Sequence, residues 1–326
     1  MKNLTPIPLL EVGGFTVGHA QDYEAATGCT VLLFDACSPA GVAVRGGGPA
    51  SRETPLLDPL AASEGIHGLL LSGGSAFGLD AAGGVMKYLE ERNIGFDTGI
   101  TKVPLVCQSC VFDLVIGRPD VRPDPAMAYK ACEDGDRRKK SALPVPEGNQ
   151  GVGCGCTVGK YRGPQYAMKS GLGCFAVQAG RLKVGAIVAV NALGDVFDID
   201  TGLQIAGLLK DGLLSTEEEF LKDIAALPDL FTGNTTIGAV ITNGSFTKAQ
   251  VNKIASMAHN GLARTIRPVH TTADGDSVYA VSAGAEPADI NVAGTLASYV
   301  LGVAVNRAVR TAQSSHGYLC SKDVVN

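Results

Sequence analysis

The chain has 326 residues, 45% hydrophobic and 18% charged, which excludes a disordered segment and supplies material for a large core. A net charge of −5 with a pI near 5.6 excludes a global attraction to nucleic acid or to an anionic membrane surface. Forty-two glycines and no tryptophan suggest tight turns and closely approaching backbones, as in layered β-rich enzymes.

In chain order, the opening MKNLTPIPLLEVGGF carries one lysine and no apolar run of signal-peptide length. No stretch reads as long enough to span a bilayer, so the expectation is a soluble, cytoplasmic protein with no membrane partner. Residues 29–34 form a short apolar strand. A helix is predicted over about 76–92, with Leu79, Ala82, Met86 and Leu89 on one face. A second helix starts at Asp124-Pro125, where the aspartate caps and the proline takes the first helical position. The charged run 133–140 and the Pro/Gly-containing segment through Gly155 read as an exposed loop. Residues 175–177, 182–191 and 195–198 read as neighbouring antiparallel strands, turning at 178–181 and 192–194. A strand over 235–242 leads to a helix from Thr247 that places Val251, Ile254, Ala255, Ala258 and Leu262 at helical spacing. A strand over 278–282 and a largely apolar helix over 290–310 complete the chain. No repeat or linker divides it, so a single domain over 1–326 is expected. Helices fall between blocks of antiparallel strands, which favours α+β layers over a doubly wound sheet.

Several motifs bear on chemistry. Gly73-Gly74-Ser75-Ala76-Phe77-Gly78 precedes a helix as a phosphate-binding turn would. Its glycine spacing is not that of a dinucleotide site, and no Gly-Lys-Ser/Thr follows. Close packing or a pocket wall is the better reading, there and at Arg45-Gly46-Gly47-Gly48. Nine cysteines without an export signal argue against a disulfide framework. Cys107/Cys110 and Cys154/Cys156 have metal-like spacing but no histidine pair beside them, so buried structural thiols are expected and no metal or cofactor. Asp274-Gly275-Asp276 is either a hairpin turn with solvated aspartates or a coupled acid pair that holds an ammonium group. The five histidines show no Ser/His/Asp or ligand spacing. Asn234-Thr235 is either a polar turn feeding a strand or a bond that breaks itself. Cutting it would give Thr235 both a hydroxyl nucleophile and an α-amine of pKa about 8 to serve as its base.

The segment 233–243, then Gly261-Leu262-Ala263-Arg264, Pro268-Val269-His270-Thr271 and Asp274-Gly275-Asp276, resemble the DmpA-like self-processing aminopeptidases. Val17-Gly18-His19-Ala20, Thr27-Gly28, Arg45 to Gly48, Ser51-Arg52-Glu53 and Gly73 to Gly78 extend the likeness over most of the chain; it is weakest across 118–150. The resemblance implies a four-layer αββα sandwich of the N-terminal-nucleophile type, shared with ornithine acetyltransferases. It implies cleavage into residues 1–234 and 235–326 and tetramers of the processed heterodimer, acting on a small peptide or amide. By motif position Thr235 matches the nucleophile and Lys160 the lysine beside it. Asn191 matches the oxyanion-holding asparagine, and Asp274 and Asp276 match the acidic pair, where some members carry Ser and Glu. Phe112 departs from the pattern: several members have a tyrosine there, and its hydroxyl is missing here. Two other readings stand beside the hydrolase. One is an acyltransferase of the ornithine acetyltransferase type, whose Ala-Thr-Met cleavage signature is not seen at 231–237. The other is an uncleaved ligand-binding relative.

Overall fold

The computed structural model describes residues 4–223 and 233–324; residues 231 and 232 of the segment flanking Asn234 lie outside them. The strands of the two large sheets are β1 (Thr5–Ile7), β2 (Phe15–Asp22), β3 (Thr27–Ser38), β4 (Ala40–Val44), β5 (Ala50–Arg52), β6 (Ile66–Ser72), β7 (Val106–Cys110), β8 (Leu172–Ala179), β9 (Leu182–Asn191), β10 (Thr235–Gly244) and β11 (Ser277–Glu286). The helices are α1 (Ala82–Glu90), α2 (Pro125–Lys140), α3 (Thr216–Lys222), α4 (Lys248–Thr265) and α5 (Ile290–Thr311). One sheet has the order β1-β8-β9-β10-β11-β4 and the other β2-β3-β6-β7-β5.

Strand alternation decides how the layers stack, because successive side chains point to opposite faces. On β9, β10 and β11, Val184, Val188, Val240 and Val278 meet α4 and α5 through Val251, Ile254, Val300 and Leu301. Their alternates Ile187, Ala189, Ile237, Ala239 and Tyr279 meet Leu32, Leu69 and Leu71 of the other sheet. That sheet's remaining face packs Val31, Leu70 and Val106 on α1 and α2. The result is the expected αββα order, with one core between the sheets and one under each helical layer.

Local chemistry sets the helix starts. The Asp124 carboxylate accepts from Met127 N at 2.7 Å ahead of Pro125. Thr247 and Gln250 form a reciprocal capping box on α4. Five sequence expectations need correction. Residues 133–140 are not a loop but the last half of α2. Its buried Ala128, Ala131, Cys132 and Gly135 are small, and its terminal cluster of Arg137, Arg138, Lys139 and Lys140 suits the helix C-terminus. The following Gly151–Gly155 is a buried 3-10 turn rather than exposed. Asp195–Phe197 does not continue the β8–β9 pair; it joins Gln204–Ala206 and Ile266–Arg267 in a small separate sheet. Finally, α5 is long and apolar enough to cross a membrane by length and composition, yet most of it is buried as the core helix against β8, β9 and α4. The helix expected from residue 76 begins as a 3-10 segment, Ser75–Ala81, before α1.

Candidate active site

Backbone pairing alone assembles the first part of the site. β10 runs antiparallel to β9 and parallel to β11. The register sets Asn191, the last residue of β9, opposite Thr235, the first of β10, and an isolated parallel bridge sets Asn234 beside Asp274. Thr235 shares its face with Ile237 and Ala239, so both Thr235 and Asn191 look into the space between the sheets. Asn234 and Thr235 are buried, at 2% and 4% exposure. The Asp274–Asp276 segment is therefore no hairpin; it enters a strand parallel to β10.

Two donors converge on the carbonyl of Asn234. Gly275 N–H donates to it at 2.9 Å. The Thr235 hydroxyl donates to the same oxygen in a short contact. A Cβ on residue 275 would stand 2.9 Å from Thr235 Oγ1 and 2.7 Å from Gly48 O, so this convergence requires glycine. The Arg45–Gly48 stretch braces the acid pair from the other side: Arg45 N donates to Asp276 O and Gly48 N to Asp274 O, each at 2.9 Å.

Asn191 is the hub of the next group. Its Oδ1 accepts from Thr157 N at 3.1 Å and from Lys160 Nζ at 2.8 Å, and Lys160 Nζ also donates to Asn191 O at 2.9 Å. Its Nδ2 donates to Phe112 O at 2.8 Å, leaving a second amide hydrogen. Residue 112 thus contributes a backbone acceptor, while its ring lies against Gly233 just ahead of the Asn234–Thr235 bond. Burial lowers the Lys160 ammonium to about 7, against the opposing pull of Asp274 and Asp113.

The acid pair is buried too. Burial first, and then the Asp276 charge, raise Asp274 to about 6, although Thr271 donates through its hydroxyl at 2.6 Å and its N–H at 3.0 Å. Asp276 Oδ1 accepts from Thr236 N at 2.7 Å, and its Oδ2 meets His270 Nδ1 at 2.6 Å. His270 Nε2 in turn meets His259 Nδ1 at 3.3 Å. Neither histidine took a role from the sequence: His270 stood in a matched motif six residues ahead of Asp276, and His259 lies on α4 with no local signal joining it to the acids.

Residues 7–319 match the family described as peptidase family S58. The chain belongs to peptidase family S58. It is 39% identical over 298 residues to an uncharacterised aminopeptidase of Mycobacterium tuberculosis, covering 85% of this chain and 81% of that protein. It is 29% identical over 280 residues to the 6-aminohexanoate-oligomer endohydrolase of a Kocuria species, covering 82% and 73%. Among solved structures, the L-aminopeptidase D-Ala-esterase/amidase of Ochrobactrum anthropi, described as a variant of the Ntn hydrolase fold, matches with a TM-score of 0.70. That match spans 94% of this chain and 86% of the other at 18% identity, and so speaks to fold. Membership of S58 makes the chain a hydrolase of the aminopeptidase and amidase class with the N-terminal-nucleophile fold.

Other motifs take structural places in this S58 chain. Where a phosphate would lie at Gly73-Gly74, the Asp113 carboxylate accepts from Gly74 N and from Thr27 Oγ1, each at 2.7 Å. Cys107, Cys110, Cys154 and Cys156 are buried free thiols. A groove of about 890 Å³ lined by Leu9, Phe15, Leu143 and Phe175 does not include the buried Thr235.

Proposed function

We propose that the chain is a self-processing N-terminal-threonine hydrolase of amide and peptide bonds. The observation that carries this reading is the convergence of the Thr235 hydroxyl and Gly275 N–H on the Asn234 carbonyl. In self-cleavage, Thr235 Oγ bonds to the Asn234 carbonyl carbon. Gly275 N–H holds the oxygen as it becomes an oxyanion. The base for this step cannot be the α-amine, which does not yet exist. Lys160, lowered to about 7 and bonded to the cross-strand partner of Thr235, has a neutral fraction at neutral pH to take the hydroxyl proton. The carbon–nitrogen bond then breaks, the nitrogen takes up a proton, and water hydrolyses the Asn234 ester. Asn234 keeps a carboxylate and Thr235 a free amine.

Substrate turnover repeats the attack with the new α-amine as base and an acyl-enzyme on Thr235. Departure of the Asn234 oxygen frees Gly275 N–H, and with the second hydrogen of Asn191 Nδ2 it replaces the hydroxyl missing at Phe112. Such a donor is worth about 3 kcal/mol. The acid pair Asp274 and Asp276 favours substrates with a free amine, which suits an aminopeptidase on small peptides or β-peptides.

Mass spectrometry tests the reading. Wild-type protein should give two fragments meeting at 234/235, and Thr235→Ala a single 33.5 kDa chain with no amidase activity on amino-acid p-nitroanilides. Cutting at the same bond in Thr235→Ala would remove Thr235 as the nucleophile.

A further inference from the structure

The hydrogen bonds around Asp276 admit only one count of protons. Ala43 O can only accept, so the 2.9 Å contact from His259 Nε2 places a hydrogen on that nitrogen. His259 is fully buried, and burial lowers it to about 4, which leaves Nδ1 as a lone pair. The 3.3 Å contact between His259 Nδ1 and His270 Nε2 then requires the hydrogen on His270 Nε2. What remains is the 2.6 Å contact between His270 Nδ1 and Asp276 Oδ2, which needs one proton between them. His270 N–H also reaches Asp276 Oδ2 at 3.2 Å, from a backbone held at φ +59°. Two contacts from one residue, and a buried imidazole behind it, fix the ring on the carboxylate.

We infer that His270, backed by His259, is a positioning residue whose shared proton neutralises Asp276, so that the acid pair beside Thr235 carries one negative charge instead of two. The inference deepens the hydrolase reading and rests on it for its catalytic consequence. The charged groups facing the trio are Asp274 from the same loop and Arg45 at the end of β4, whose guanidinium is tied to α4 through Ser256 O at 2.9 Å. From β10 only the Thr236 N–H reaches Asp276. With the pair balanced, Asp276 stays an acceptor for Thr236 N and fixes the start of the strand that presents Thr235. The remaining charge belongs to Asp274.

Two measurements test this. In uncut Thr235→Ala, ¹⁵N spectra of the histidine rings at pH 7.5 should show His270 with hydrogen on Nε2 and a strongly hydrogen-bonded or protonated Nδ1, and His259 as the neutral Nε2–H tautomer. A neutral His270 with a bare Nε2 overturns the inference. In processed protein, His270→Gln should move the acidic limb of kcat/KM, set by Asp274 at about 6, upward by about one pH unit or more, because the acid pair then carries a second, uncompensated charge. That is about a tenfold loss at pH 6 with KM at pH 8.5 unchanged. An unmoved limb in a folded, processed His270→Gln variant also overturns the inference. If His270→Gln does not fold, the ring spectra decide alone. Cleavage of Thr235→Ala would sink the self-processing reading and leave the spectroscopic result standing.

Discussion

Two buried lysines, on either side of one short hairpin, show how acceptors decide what a cation is for. Thr157–Val158 pairs with Met168–Lys169, so Lys169 lies in this small ladder and Lys160 two residues past its first strand. Both are buried, at 3% and 0% exposure, and burial lowers both, to about 7 and about 8. Lys169 donates to Gly153 O at 3.2 Å, Cys156 O at 3.0 Å and Ser170 O at 2.6 Å, which uses all three ammonium hydrogens. Its charge is saturated by backbone carbonyls and serves to pin the 3-10 turn Gly151–Gly155. Lys160 makes two bonds, both to Asn191, and among the described residues its third hydrogen has no protein acceptor. Equal burial therefore gives one cation with every hydrogen bonded and one with a hydrogen to spare, as the proposed base would need.

The contrast can be broken by experiment. Lys169→Met strands three buried carbonyls and should lower stability by about 3 kcal/mol in chemical denaturation of the uncut chain, while self-cleavage in the folded fraction continues. A stability near wild type would show that the carbonyls find other donors. Lys160→Met should slow self-cleavage by about 100-fold, followed on a denaturing gel, with a much smaller loss of stability. Reversal of these two outcomes would exchange the roles assigned to the lysines. The pH dependence sharpens the same point: self-cleavage of wild type should climb between pH 6 and 8 as Lys160 gives up its proton and then level off, measured as a rate after a pH jump. Stability carries the same signature. Because the folded Lys160 value lies below the unfolded 10.5, the unfolded chain holds more protons from about pH 7 to 10.5, so stability rises with pH across that window. Lys160→Met should flatten that rise, and an undiminished slope would place the titration on another group.

Much of the fold was legible because local signals and global layers agree. Asp124-Pro125 and Thr247 mark helix starts that tertiary packing keeps, and the strands expected over 182–191 and 235–242 are β9 and most of β10. The last half of α2 was lost because its core face is built from alanine, cysteine and glycine, while its charges dominate composition. At the site, Asn234-Thr235 and Asp274-Gly275-Asp276 were readable locally as open alternatives, whereas Lys160 and Asn191 came only from a resemblance, since no spacing joins them to Thr235. The parallel pairing of β10 and β11 and the crossing of His259 on α4 to His270 are long-range contacts, and sequence periodicity reports only local ones. Phe112 was read as a lost hydroxyl; its backbone oxygen turns out to hold Asn191.

The strand order has a consequence for a severed chain. β10 and β11, both downstream of Thr235, are clamped between β9 and β4, which lie upstream of it. A nick at 234/235 would release neither fragment, since separating them means tearing two ladders from the middle of a sheet. Once melted, however, the halves would have to find each other as two molecules. The mature protein would then owe its persistence to slow unfolding rather than to reversible equilibrium, and heating should inactivate it for good.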